Sequence, residues 1–207
     1  PRSLTRAATA DPGRDHDGYA EPMCPARPVL DLLDRFQPRD EAEAADVART
    51  RELAGHTDDP WARANPLHLT ASALIVHPAT GRVLLRWHQR QQAWLQVGGH
   101  GDPGESDPLD IALREAREES ALTDLQPWPD AELWQVAVVN VPANSKEPAH
   151  QHADLRFLLA TDDPDAARPE TPDNPLRWLP VAEAVDVTTE ANLRALLTRA
   201  GDLFARS

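Results

Sequence analysis

Two stretches before residue 60 repeat apolar residues at the spacing of an α-helix. The first stretch carries four of them on one side: Val29, Leu32, Leu33 and Phe36. Pro28 precedes them and suits the first helical turn, where its missing N–H costs no hydrogen bond. In the second stretch, Asp40 and Glu43 are predicted to cap the helix and Gly55 is predicted to end it. We therefore expect residues 28–60 to form a small helical extension.

After residue 60 the helical spacing gives way to short apolar runs, several of which alternate with polar residues. These runs predict five strands, at residues 67–77, 82–88, 131–141, 152–160 and 176–180. A turn over residues 78–81 is expected to join the first two strands into a hairpin. In the second strand, the alternation places Arg86 on the face opposite to Val83 and Leu85.

Helical patterns lie between and after these strands. One follows the glycine-rich stretch of residues 97–106, another begins at Pro180, and the last begins at Thr189 with its leucines facing inward. Strands therefore precede, flank and follow helices along the chain. This order predicts an α/β fold over residues 61–207, in which a mixed sheet has helices on both sides.

Composition narrows the possible functions. The chain has 207 residues, of which 41% are hydrophobic and 27% charged, as in ordinary globular proteins. Its formal net charge of −13 argues against duplex nucleic acid and anionic membrane as partners. Cys24 is the single cysteine, which excludes an internal disulfide, and no apolar run is long enough to span a membrane. We expect a cytoplasmic protein in which residues 1–27, poor in large apolar side chains, form a flexible arm.

The strongest chemical signal lies in residues 97–122, where a glycine-rich loop leads into a helix with three glutamates. Glu115, Glu118 and Glu119 project from one side of that helix because they are three and four residues apart. Like charges this close repel one another unless a cation lies between them. Carboxylate oxygens are hard ligands, which suits Mg²⁺ or, as a substitute, Mn²⁺. The alternative is a solvated acidic helix face that binds no metal.

The same stretch resembles the Nudix box, the sequence motif of Nudix hydrolases. The matching residues are Gly99, Glu105, Arg114, Glu115, Ala116, Glu118, Glu119 and Leu122. Residues 68–73, 94–100 and 147–157 are similar to a Nudix subgroup that has a helical N-terminal extension. The resemblance implies an α/β/α sandwich and Mg²⁺-dependent hydrolysis of a small-molecule diphosphate by attack of water on phosphorus. It also implies that the metal ligands are Glu115, Glu118 and Glu119.

Two positions depart from the motif. Eight residues separate Glu105 from Arg114 instead of seven, and the strict spacing would put Ser106 at the glutamate position. Ala121 stands where the motif has a glycine that ends the helix in a left-handed conformation. An alanine there either adopts that conformation, at a cost of about 1 kcal/mol, or lets the helix continue for part of a turn.

The motif also assigns roles around the three glutamates. Arg114 either pairs bidentately with a glutamate and holds it in position for a metal, or forms an ordinary surface pair with Glu118. Glu105 is expected to orient the loop or to bind the metal through water. Gly98 and Gly99 are candidates for bringing backbone N–H groups close to phosphate, and a tight turn alone would also explain them.

Histidines add further candidates. His150, His152 and Asp154 alternate, so a strand would place them on one face. Such a set is open to three interpretations: a Zn²⁺ site, a polar wall of the substrate cleft in which a histidine contacts phosphate, or the start of a strand without a special role. His100, in the glycine-rich loop, and Arg86 are further candidates for phosphate contact.

Three functions compete at this point. The leading one is a Mg²⁺-dependent diphosphate hydrolase, in which one of the three glutamates or a residue of another loop is the general base. The alternative is a non-catalytic nucleotide-binding or regulatory module with the same fold, motivated by the extra loop residue and by Ala121. An isoprenoid diphosphate isomerase is the third, and its particular acid and base residues find no support in the sequence. The fold also makes a homodimer a reasonable expectation.

Overall fold

The computed structural model describes residues 26–145 and 147–206, so almost all of the predicted flexible arm, with Cys24, lies outside the described residues. The α-helices in the described part are α1 (Arg27–Arg35), α2 (Glu41–His56), α3 (Pro108–Ser120), α4 (Val181–Val187) and α5 (Ala191–Phe204). The strands are β1 (Leu67–His77), β2 (Arg82–His88), β3 (Ala93–Leu95), β4 (Val97–Gly99), β5 (Gln126–Pro127), β6 (Gln135–Val141), β7 (His150–Ala160) and β8 (Leu176–Pro180).

β1 lies at the centre of one mixed sheet. On one side it pairs in parallel with β7, over a register that runs from Leu67–Gln151 to Val76–Ala160. On its other side it pairs antiparallel with β4 near its start and with β2 near its end. β2 also pairs with β3 and β8, and β7 pairs with β5 and β6, all antiparallel. The predicted hairpin of β1 and β2 and the predicted mixed sheet are both confirmed.

Helices cover both faces of the sheet. Alternate residues of β1, among them Leu69 and Ile75, share one hydrophobic core with α1, α2 and α3. The intervening residues Leu74 and Val76 face a second core, which the leucines of α5 help to form. This alternation arises because successive side chains of a strand point to opposite faces. The result is the α/β/α sandwich that the sequence predicted.

The predicted helical extension is present and lies on the core. Leu33 of α1 and Ala54 of α2 are 2% and 3% exposed and belong to the same cluster as the sheet residues. Trp61, in the turn-rich segment that follows α2, is buried in this cluster as well. The division of the chain at residue 60 into extension and domain stays a prediction.

Several predicted boundaries are wrong. The strand predicted from residue 152 begins at His150, because His150 and Gln151 already pair with β6, and the helix predicted from Thr189 begins at Ala191. α2 continues past Gly55 to His56, because Gly55 keeps a helical conformation and the last helical hydrogen bond is donated by Thr57. The strand predicted from residue 131 begins only at Gln135. The residues before it bend instead, since the Asp130 carboxylate accepts a hydrogen bond from the backbone N–H of Glu132.

The length and apolar character of the described helices also decide whether one of them could span a membrane. Among residues 26–145 and 147–206, no helix combines the length and the apolar character that crossing a bilayer requires.

Candidate active site

α3 carries the three glutamates and is fixed at both ends. Asp107 caps its start by accepting hydrogen bonds from the backbone N–H groups of Leu109 and Asp110. At its end, Ala121 has φ 58° and ψ 9°, and its N–H donates to the carbonyl of Arg117 at 2.8 Å. Of the two possibilities for this alanine, the structure therefore has the left-handed one. The helix stops where a motif glycine would stop it.

Arg114 connects the groups around the glutamates. Its Nε and Nη2 atoms donate to the two carboxylate oxygens of Glu105, both at 2.9 Å. Its Nη1 atom donates to Glu115 at 3.0 Å and to Glu118 at 3.2 Å, and Nη2 also donates to the carbonyl of His100 at 2.9 Å. The hydrogen bonds with Glu105 raise the pKa of Arg114, so the guanidinium stays charged. One cation therefore holds three carboxylates and the glycine-rich loop in a fixed arrangement.

The extra residue between Glu105 and Arg114 is accommodated by a tight turn at residues 102–105. The backbone N–H of Glu105 donates to the carbonyl of Asp102 at 2.9 Å, and the Glu105 carboxylate accepts from the N–H of Asp102 at 2.8 Å. Gly104, with φ 95°, supplies the left-handed position inside this turn. As a result Glu105, not Ser106, meets Arg114, and the hydrogen bond from Arg114 holds the pKa of Glu105 below its usual value.

The glutamates differ in their surroundings. Glu119 is 8% exposed; its carboxylate accepts from the backbone N–H of Gly98 at 3.0 Å and lies 3.1 Å from Arg86 Nη1. Burial raises the pKa of Glu119 to about 7, even against the positive charge of Arg86. Burial also raises the pKa of Glu115, whereas the side chain of Glu118 is exposed. The site thus keeps two carboxylates in surroundings that disfavour negative charge.

The two glycines of β4 allow a close approach of backbone to carboxylate. Gly98 has φ 145°, and a Cβ atom there would lie 2.3 Å from the Cβ of Ser72. A Cβ atom on Gly99 would lie 2.7 Å from the carboxylate of Glu115. The contact at Gly98 also involves the backbone of β1, so the packing of β4 against β1 requires this glycine, whereas a side chain at Gly99 would have to displace the carboxylate of Glu115.

A cleft of about 190 Å³ opens beside this glycine pair. Its lining includes all the residues predicted to contact substrate: Arg86, Gly98, Gly99, His100, His152 and Asp154. The glutamates of α3 do not line it, and Glu119 instead reaches the N–H of Gly98. Gly98 and Arg86, which line the cleft, both contact Glu119, so the cleft adjoins the carboxylates of α3.

Asp154, one of the predicted substrate contacts, is held by four protein donors. It is 5% exposed and accepts hydrogen bonds from the hydroxyls of Thr70 and Ser72, at 2.9 and 2.8 Å. The amide of Gln96 and the guanidinium of Arg156 complete the set, at 3.2 and 2.8 Å. This network anchors the floor of the cleft to β1 and β7. Asp154 is also not part of the group of metal-ligand candidates that the described residues form in this region, which consists of His68, His100 and His152.

A histidine that the sequence analysis did not select joins His100 and His152 at the edge of the cleft. Ligand nitrogens of His68, His100 and His152 all lie within 4.8 Å of one another. The pKa of His100 is lowered to about 3 and that of His152 to about 4, chiefly by burial and in addition by the neighbouring imidazoles. The sequence alone could not select His68, because only the parallel pairing of β1 with β7 brings it beside His152, and this strand register cannot be read from the sequence.

The donor set on α3 fits a hard divalent cation. It consists of carboxylate oxygens, which Mg²⁺ and Mn²⁺ prefer. Arg114 holds Glu115 and Glu118 through one oxygen of each carboxylate, so the two side chains that would hold the ion are fixed by the same guanidinium. The raised pKa values of Glu115 and Glu119 point the same way, since a bound cation offsets the cost of burying their charge.

Known proteins resemble this chain in sequence and in fold. The family model described as NUDIX domain matches residues 66–200. A protein of Lactococcus lactis subsp. cremoris (strain MG1363), named "Probable DHNTP pyrophosphohydrolase", is 34% identical over 111 residues, which are 52% of this chain and 63% of that protein. The chain thus matches less than two thirds of the length of this relative.

The fold is also that of a solved structure. The structure of a C. elegans Ap4A hydrolase binary complex superposes with a TM-score of 0.54 at 22% identity, covering 67% of this chain and 98% of that one. An E. coli dihydroneopterin triphosphate pyrophosphohydrolase superposes with a TM-score of 0.48 at 18% identity, covering 65% and 94%.

Proposed function

The chain belongs to the Nudix family, and from this membership we propose that it is a Mg²⁺-dependent hydrolase. It would cleave a pyrophosphate linkage in a nucleoside diphosphate-linked or related small molecule, by attack of water on phosphorus. The observation that carries this proposal is the Arg114 network. A single guanidinium holds Glu105, Glu115 and Glu118, and of these Glu115 lies against Gly99.

We assign the metal to Glu115, Glu118 and Glu119, with Mn²⁺ as a substitute for Mg²⁺. When bound, the ion would neutralise the pyrophosphate and lower the pKa of the attacking water. Arg114 and Glu105 position the ligands, because each is bonded to the other and Arg114 bonds Glu115 directly. One of the glutamates, or a residue of another loop, takes the proton from water.

The cleft beside the glycine pair is the proposed place for the substrate. Its diphosphate would lie along the backbone of Gly98 and Gly99, with His100, His152 and Arg86 as the polar groups around it. Asp154 would act there through Thr70 and Ser72, whose hydroxyls it already holds. The Lactococcus relative makes a pterin triphosphate one candidate substrate, next to nucleoside triphosphates, dinucleoside polyphosphates and nucleotide sugars.

The test is turnover of such a panel with and without Mg²⁺, for the wild type and for a Glu118→Gln/Glu119→Gln variant. We expect Mg²⁺-dependent release of a phosphorylated product from at least one compound. The activity of the double variant should fall by more than about 10–100-fold, which is the loss expected when only an outer partner of a metal ligand is removed. Glu183→Gln, an exposed glutamate of α4, is the matched control and should keep full activity. Absence of Mg²⁺-dependent turnover from the whole panel, or full activity of the double variant, contradicts the proposal.

The alternative of a non-catalytic module is less favoured by the structure than by the sequence. Two departures from the motif suggested this alternative. The extra loop residue is accommodated in the turn at Gly104, and Ala121 takes the left-handed conformation that a glycine would have. Tight nucleotide binding without hydrolysis would support it. A cytoplasmic location and a homodimer remain predictions.

A further inference from the structure

Three histidines from separate elements converge next to the cleft. His68 comes from β1, His100 follows β4, and His152 comes from β7. The Nε2 atoms of His68 and His100 are 3.0 Å apart, and the three rings have centroids 4.8 to 5.1 Å from one another. His150 lies beside them, with its Nε2 atom 3.1 Å from that of His152.

Backbone carbonyls set the orientation of two of these rings. Nδ1 of His68 lies 2.9 Å from the carbonyl of Asn65, and Nδ1 of His150 lies 2.9 Å from the carbonyl of Pro148. A carbonyl oxygen only accepts hydrogen bonds, so both Nδ1 atoms must be the donors. In a neutral imidazole this leaves the lone pair on Nε2, which in both rings faces the other histidines. Metal-binding histidines are typically held in this way.

The distances also match a shared ion. Two nitrogens bound to one tetrahedral zinc at about 2.0–2.1 Å lie about 3.4 Å apart. The Nε2 atoms of His68 and His100 are 3.0 Å apart, and the ligand nitrogens of all three histidines lie within 4.8 Å of one another, so side-chain movements of roughly 1 Å would bring the three to that spacing. Imidazole nitrogens suit Zn²⁺ and similar transition metals, whereas the carboxylates of α3 suit Mg²⁺. The two sets therefore select different ions.

We infer that His68, His100 and His152 form a transition-metal site of the Zn²⁺ type, separate from the carboxylates of α3. The fourth position is open to His150 or to a non-protein ligand. The ion would fasten the loop after Gly99 to β1 and β7, and so fix one wall of the cleft. This inference does not depend on the hydrolase activity, because it is tested by metal binding itself.

The test uses the full chain without a histidine tag, freed of metal and kept in excess Mg²⁺ so that oxygen sites are filled. Zn²⁺ binding is measured by calorimetry, and Co²⁺ is used as a coloured substitute whose visible bands report tetrahedral nitrogen coordination. We expect one Zn²⁺ per chain and strong visible Co²⁺ bands. His152→Gln should weaken Zn²⁺ binding by at least about tenfold, since even outer partners of metal ligands are worth that much.

Two controls keep the test decisive. His56→Gln, an exposed histidine at the end of α2, should bind Zn²⁺ as the wild type does. Because His68 is buried and its replacement could disturb folding, the effect of Zn²⁺ on the thermal midpoint is compared as well. Zn²⁺ should raise the midpoint equally for the wild type and for His56→Gln, and raise it less for His68→Gln and His152→Gln. A stoichiometry near zero, or Zn²⁺ binding by His152→Gln equal to that of the wild type, overturns the inference and leaves the cluster as a hydrogen-bonded histidine network.

Discussion

Gly99 decides how closely the glycine-rich loop and α3 approach each other. A single added methyl group at this position would lie 2.7 Å from the carboxylate of Glu115. That carboxylate is a proposed metal ligand and is also bonded to Arg114. The position therefore links the backbone of the cleft directly to the geometry of the proposed metal site.

We predict that Gly99→Ala lowers kcat for the substrate identified in the panel by about a hundredfold, because a displacement of about 1 Å at a reacting centre costs that much. The added Cβ must push Glu115 away from its position, while the rest of the fold remains in place. The measurement is kcat together with the thermal midpoint. Gly55→Ala, where an added Cβ meets nothing within 4 Å, is the control and should leave kcat unchanged. An unaltered kcat in Gly99→Ala would show that Glu115 does not need its present position.

At the residue scale, the sequence predicted the side of α3 that its glutamates share, but not the partners that these glutamates contact elsewhere in the chain. The spacing of Glu115, Glu118 and Glu119 indicated a common helix side. The hydrogen bond from Gly98 to Glu119 and the pairing of Arg86 with Glu119 join residues far apart in the chain. Such pairs depend on strand register, which a single sequence does not carry.

At the scale of the element, the end of α3 stores strain. Ala121 adopts φ 58°, a region in which a side chain costs about 1 kcal/mol or more and a glycine costs little. The strain is tolerated because it lets the helix stop before Leu122, whose side chain is fully buried.

Ala121→Gly should therefore raise the free energy of unfolding by about 1 kcal/mol, since glycine accepts the left-handed conformation without a Cβ clash. Urea unfolding of the two proteins measures the difference. Ala195→Gly, at an exposed position in the middle of α5, is the control: it should lower the free energy of unfolding by about 0.5–1 kcal/mol. Destabilisation by Ala121→Gly would mean that the alanine side chain makes packing contacts that outweigh the strain.

Elements with a clear period were predicted well, and elements decided by local hydrogen bonds were not. The alternation in β2 and the spacing in α1 matched the buried faces that the structure has. The start of β6 was misplaced because the Asp130 carboxylate bends the chain before it. The parallel pairing of β1 with β7 could not be inferred from either strand, since both read only as buried runs.

At the scale of the whole molecule, the N-terminal helices and the sheet share one core. Leu33 of α1 is 2% exposed and clusters with β1, β7 and α3. If the extension were an independent appendage, its loss would leave the sandwich intact.

We predict instead that Leu33→Ala lowers the free energy of unfolding of the whole chain by about 2–5 kcal/mol, the range for a buried leucine that leaves a cavity. Denaturant unfolding followed by far-UV and near-UV circular dichroism should show one shifted transition. Leu30→Ala, a half-buried residue of the same helix, should cost less. An early loss of helix signal followed by an unshifted main transition would instead support a boundary near residue 60.

The parallel pairing of β1 and β7 also sets the order of assembly. β1 is the central strand, yet the long partner on its β7 side comes from residues 150–160. On a ribosome, the apolar strands β1 and β2 emerge well before that partner exists. Closing such a long loop costs chain entropy before its contacts form, which slows folding and leaves an open strand edge exposed. This edge makes the half-made chain a substrate for chaperones and a point at which nascent copies would join to one another.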